Sequence, residues 1–122
     1  VNDVEALDTR WLSLPEVADA LDVRLRDVRT MLAERRLVAV RQGPNDAWSV
    51  PADLLTVGEG DAGRVLASLR GTLIQLGDAG LTDVECVIWL FSEDAELGER
   101  PIDALRSGRT HAVRRAAQPL AF

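Results

Sequence analysis

The strongest constraint on this chain lies between Ser13 and Val50, where two short helical patterns and one hairpin pattern follow one another with almost nothing in between. Ser13 with Glu16 three residues on is a capping box, and Pro15 stands in the first turn, where its missing N–H leaves no bond unmade. Leu14, Val17, Ala18 and Leu21 then recur at helical spacing as one apolar stripe, with Glu16, Asp19 and Ala20 on the other side. Asp22-Val23-Arg24 interrupts the period, and Asp tolerates the backbone of a tight reversal. A second stripe follows at Leu25, Val28, Met31 and Leu32, which leaves Arg26, Arg29, Thr30 and Ala33 together on the opposite face. After Arg36 the period shortens to that of strands. Leu37–Arg41, a Gln42-Gly43-Pro44-Asn45-Asp46 turn and Ala47–Pro51 predict a hairpin, and Pro51–Leu55 one further turn packed back on the core.

Outside this block the patterning is simpler. Residues 1–10 are acidic and without period, which predicts a flexible N-terminal segment. Residues 57–63 contain three glycines and read as a linker. Leu66, Leu69, Leu73 and Leu76 predict a helix ending near Gly77 or Gly80, and Thr82 with Glu85 caps a second, built on Val84, Val87, Ile88 and Phe91 and widened by Trp89 and Leu90. Two shorter helices are expected over 101–107 and 110–118. The expected fold class is therefore mainly α: a winged helix-turn-helix over 11–56 with a short β-hairpin wing, then a small helical bundle over 64–122.

Charge narrows the functional classes. The chain carries a net −6, yet residues 24–41 hold six arginines against two carboxylates, a local +4 that leaves −10 for the remainder. Screening confines each charge to roughly 8–10 Å, so this distribution matters more than the sum. All fourteen basic residues are arginine, the side chain that pairs bidentately with phosphate or guanine. A slim basic face on the second of two helices suits the major groove of duplex DNA. Arg26, Arg29 and Thr30 are the candidates for base edges or nearby phosphates, and Arg24, Arg35, Arg36, Arg41 and Gln42 for the backbone. The competing reading is a protein-interaction module, with the C-terminal helices binding a partner or a second copy through Trp89, Leu90 and Phe91.

Other chemistries lack their constellations. His111 is the only histidine and Cys86 the only thiol, so no metal set, disulfide or nucleophile–base pair can be assembled, and Cys86 among Val84, Val87 and Ile88 reads as a buried thiol. Gly58, Gly60 and Gly63 do not form a phosphate-cradling loop, and Glu93, Asp94 and Glu96 lack the oxygen pattern of a calcium loop. Neither an enzyme nor a cofactor is expected. No apolar run suits a membrane span and the acidic start is unlike a signal peptide, so the expected compartment is the cytoplasm, in association with the nucleoid.

Leu14–Val23, Val28-Arg29 and Leu37–Arg41 resemble the winged helix-turn-helix of excisionase and MerR-like domains over residues 12–55. That resemblance implies a recognition helix at 25–35 and a wing at 38–50. Asp22 and Arg35 stand where such domains often have glycine, and Arg24 replaces the usual Ser or Thr cap. Trp89-Leu90, Leu97-Gly98, Pro101–Leu105, Gly108 and Val113 resemble the C-terminal domain of Xre/MbcA/ParS-type antitoxins. From Trp11 to Phe122 the whole is similar to a family of small actinobacterial DNA-binding proteins. One mycobacterial member of that family is a Ser/Thr kinase substrate, so the resemblance implies a kinase among the partners. No phosphorylation site is carried over, because Thr9 is only a threonine in an acidic segment.

Overall fold

The computed structural model describes residues 3–56 and 62–121. Its first half runs β1 (Trp11–Ser13), α1 (Leu14–Leu21), α2 (Leu25–Ala33), β2 (Val40–Gln42), β3 (Ala47–Pro51) and β4 (Leu55–Thr56). The second half adds β5 (Arg64–Val65), α3 (Leu69–Asp78), α4 (Asp83–Phe91), α5 (Pro101–Arg106) and α6 (Thr110–Ala117). The helix-turn-helix, the wing and the helical C-terminal half are all present where the patterns place them.

Both expected capping boxes form, Ser13 with Glu16 and Thr82 with Glu85. Helices α1 and α2 each end in the same way. Val23 donates its N–H to the Ala18 carbonyl and Asp22 to Asp19, while Arg36 donates to Met31 and Arg35 to Leu32. These are paired closures through one left-handed residue, Asp22 at φ 56° and Arg35 at φ 62°. Both positions where the resemblance implies glycine thus take up its backbone region, as does Asp46 in the wing turn at φ 51°.

The wing is larger than the expected hairpin. Strand β1 joins it as a third member in the order β1-β3-β2, with Leu12 opposite Val50 and Arg41 opposite Trp48. Leu12, Val40 and Val50 are buried, while Arg41 and Trp48, paired on the outer stretch of β2 and β3, are exposed. Three residues are too few to announce a strand by alternation, which is why the sequence predicts no strand at Trp11–Ser13. The recognition helix stops at Ala33 rather than at 35, because Arg35 has left helical backbone space, and Val38 and Ala39 are buried beneath the wing rather than part of it.

Residues 3–10 correct the expectation of a flexible segment. Asp3–Ala6 forms a 3₁₀ turn packed against α4, Val4 is fully buried, and the Asp8 carbonyl accepts a 2.8 Å bond from Arg100. Val4 and Leu7, three apart in a short acidic stretch, are too few to signal such docking in the sequence. Of the expected linker, 57–61 lies outside the described residues, whereas the Gly63 N–H bonds the Ala20 carbonyl at 2.8 Å and Arg64-Val65 pairs with β4. Leu66 is buried but precedes its helix.

One apolar cluster runs through both halves, from Val17, Val28 and Leu54 to Leu73, Leu90, Ile102 and Val113. Leu90 and Phe91 are buried in it and Trp89 packs against it, so the apolar arc of α4 serves the protein's own core. Cys86 is fully buried there, which pushes its thiol pKa up. Among the described residues no helix is long and apolar enough to cross a membrane.

Candidate nucleic-acid interface

Helix α2 is seated by Val28, its one fully buried side chain, with Met31 and Leu32 half-buried beside it. Leu25, expected on the same stripe, is 37% exposed because the first turn runs past the core. Arg24 is an extended N-cap whose side chain caps nothing, and the Asp27 carboxylate instead accepts the Arg24 N–H at 3.0 Å. That bond supplies half of a capping box and lets the Arg24 guanidinium extend away from the helix.

The opposite face is exposed at Arg26, Arg29, Thr30 and Ala33. Among the described residues no carboxylate lies within ion-pairing distance of Arg24, Arg26 or Arg29. The Thr30 hydroxyl donates to the Arg26 carbonyl at 3.0 Å, which leaves its lone pairs facing outward as acceptors. Ala33 keeps that end of the face slim.

The remaining sequence candidates divide. Arg41 lies over the Trp48 ring at 4.6 Å and 3.7 Å from the Asp46 carboxylate, and it stays largely exposed at the tip of the wing. Gln42 is half-buried and reaches Ser49 Oγ at 3.5 Å, a weak contact that does little to hold it. Arg36 is exposed, with Glu34 at 3.8 Å. Arg35 is not on the interface. Its guanidinium bonds Asp83 at the start of α4 at 2.6 Å and approaches the Leu73 carbonyl of α3, and the Asp83 bond holds its pKa above the usual arginine value. The left-handed backbone at this residue turns the side chain back toward the second half, which helical spacing cannot foresee.

Trp48 is the exposed aromatic of this surface that the sequence reading passes over. It is 48% exposed, opposite Arg41 on the wing, and closes a shallow pocket with Leu14, Arg29 and Leu32. Alternation gives no signal for it, since Trp48 and Val50 are two residues apart and share a face of β3; Trp48 is exposed because the first two residues of the strand, Ala47 and Trp48, lie outside the buried part of the sheet. The assembled surface is a ridge of arginines beside an exposed aromatic, a shape suited to contact and not to enclosing a reacting molecule.

Comparison with known proteins gives consistent findings. Residues 1–55 match a family model described as "DNA-binding protein Rv2175c, wHTH domain", and residues 66–121 one described as "Rv2175c C-terminal domain of unknown function". The chain is 35% identical over a 133-residue alignment to "DNA-binding protein Rv2175c" of Mycobacterium tuberculosis (strain ATCC 25618 / H37Rv), covering 99% of this chain and 87% of that protein. A solved structure titled "NMR structure of Rv2175c" superposes with a TM-score of 0.80 at 34% identity, covering 94% of this chain and 83% of that one.

Proposed function

The chain belongs to the Rv2175c family, and from that premise we propose that it binds duplex DNA, with α2 in the major groove and the wing against the backbone, as a transcriptional regulator acting on the chromosome in the cytoplasm. The observation that carries this reading is the exposed face of Arg26, Arg29 and Thr30, whose guanidiniums have no carboxylate partner among the described residues. Arg26, Arg29 and Thr30 read base edges or the adjoining phosphates. Arg24, Arg36, Arg41 and Gln42 approach the backbone, and Arg35 is withdrawn from that role.

The acidic remainder of the chain does not oppose this. Beyond a Debye length its repulsion is screened, and what persists weakens indiscriminate association more than docking through a ridge of cations. The protein-interaction alternative loses its main support, since Leu90 and Phe91 are core residues.

Selection from a random duplex pool, followed by titration of the enriched site at two salt concentrations, tests the reading. Replacing Arg26 and Arg29 together by alanine should cost about 1–3 kcal/mol for each residue that reads a base and should scramble the preferred sequence. A pool that yields no enriched site, or a double variant that binds like the parent, overturns it.

A further inference from the structure

The second half of the chain contributes its own cations beside α2. A groove of about 450 Å³ runs along the junction of the two halves, lined by Arg36, Arg64 and Arg70 together with Leu21, Val23 and Met31. Among the described residues no carboxylate lines it. Arg64 is exposed and, among the described residues, has no carboxylate within ion-pairing distance.

The position of the groove relative to α2 gives it meaning. Going round the exposed side at 100° per residue, Met31 lies roughly 200° from Arg29, with Arg26, Thr30 and Ala33 on the arc between them. Arg29 borders the pocket beneath Trp48, on the side of the wing, and Met31 borders the groove. A major groove about 12 Å wide is walled by two phosphate strands. The wing serves one wall, and the groove arginines face the other.

Their placement is built in. Arg64 stands opposite Thr56 in the β4–β5 ladder, and the preceding Gly63 N–H is tied to the last turn of α1. Arg70 on α3 donates from Nε to the Glu34 carbonyl at 3.1 Å, which satisfies an open carbonyl at the end of α2 and fixes that helix against the groove.

We propose that the groove of Arg36, Arg64 and Arg70 clamps the phosphate strand on the far side of α2 from the wing, so that the C-terminal half, through Arg64 and Arg70, forms part of the DNA-binding surface. The inference rests on the DNA-binding reading above. A duplex backbone is the occupant that three arginines, with only the Glu34 carboxylate near Arg36 to offset them among the described residues, and their continuity with α2 select.

The test uses the full chain and the site enriched from the random pool. Arg64→Ala should lower the slope of log affinity against log salt by about 0.9, the loss of one phosphate contact. Arg64→Glu should weaken binding further while the preferred sequence stays the same, since phosphate contacts carry no base information. Arg115→Glu, an exposed α6 arginine outside the groove, applies the same change of net charge and should leave the slope within error of the parent. Arg26→Ala with Arg29→Ala must disturb binding in the same assay. If that pair does so and Arg64→Glu binds with parental affinity and slope, the clamp is wrong and the α2 reading survives. Should Arg64→Glu and Arg115→Glu weaken binding equally, only net charge is at work and the clamp is likewise wrong. Loss of a bound acidic polypeptide from Arg64→Glu, with DNA affinity untouched, assigns the groove to a protein and also overturns the proposal.

Discussion

Arg35 separates the role that charge patterning suggests from the one that tertiary structure assigns, and it does so through two observables at once. Its ion pair with Asp83 spans 2.6 Å between side chains 31% and 52% exposed, so solvent screening limits its worth to about 0.2–1 kcal/mol. The contact to the Leu73 carbonyl is 3.5 Å and adds little. Against these stands a non-glycine residue at φ 62°, which costs roughly 1–2 kcal/mol. Arg35→Ala removes the pair and keeps the strain, so it should destabilise by about 1 kcal/mol. Arg35→Gly removes both, and after roughly 0.5–1 kcal/mol of extra unfolded-state entropy for glycine it should recover much of that loss. Urea unfolding at pH 7 reads the difference as an ordering of midpoints, with the parent and Arg35→Gly close together and Arg35→Ala below both. The same three proteins, titrated with duplex DNA, should share one salt slope, because a guanidinium held by Asp83 contacts no phosphate. A slope lower by about 1 in both variants, with unchanged stability, would refute this reasoning and return Arg35 to the DNA backbone.

Three further predictions follow from the same contacts. Val4→Ala should destabilise by about 1.5–2.5 kcal/mol, since the side chain is wholly buried against α4, and a variant as stable as the parent in urea would mean that the N-terminal turn is not docked. Trp48→Phe should abolish most of the protection from acrylamide quenching that DNA confers on tryptophan fluorescence, because Trp48 is the exposed large aromatic of the wing; persistence of full protection would place the contact elsewhere. Acid should weaken the fold below about pH 5. The two Arg100 hydrogen bonds to Asp103, the Ser13 N–H on Glu16 and the Thr82 N–H on Glu85 hold these carboxyls below their ordinary range. A depressed folded pKa contributes stability above the unfolded value and loses it as pH falls through the folded one, so the urea midpoint should drop on acidification. That drop should be shallower when Glu16, Glu85 and Asp103 are replaced by Gln, Gln and Asn, and an identical slope would exclude them as its source.

What the chain declares locally can be read without coordinates. Capping boxes at Ser13 and Thr82, the apolar stripes of α1 and α2 and the glycine- and proline-rich wing turn depend on neighbours three or four residues away, so residue order alone specified the helix-turn-helix, its hairpin and the helical second half. The basic face of Arg26, Arg29 and Thr30 was legible for the same reason: angular position on a helix follows from spacing. The destination of each arginine was not. Arg35 reaches Asp83, Arg70 the Glu34 carbonyl, Arg100 the Asp8 carbonyl and Arg106 the Asp53 and Leu55 carbonyls, all across the junction of the two halves. A long side chain on a left-handed or terminal residue takes its direction from the backbone turn and its partner from whatever the packing brings near, and both arise only when remote segments meet. For the same reason the docking of Val4, the third strand at Trp11–Ser13 and the groove beside Arg64 belong to the tertiary structure, which sorted chemically identical guanidiniums into those that join the halves and those left facing outward.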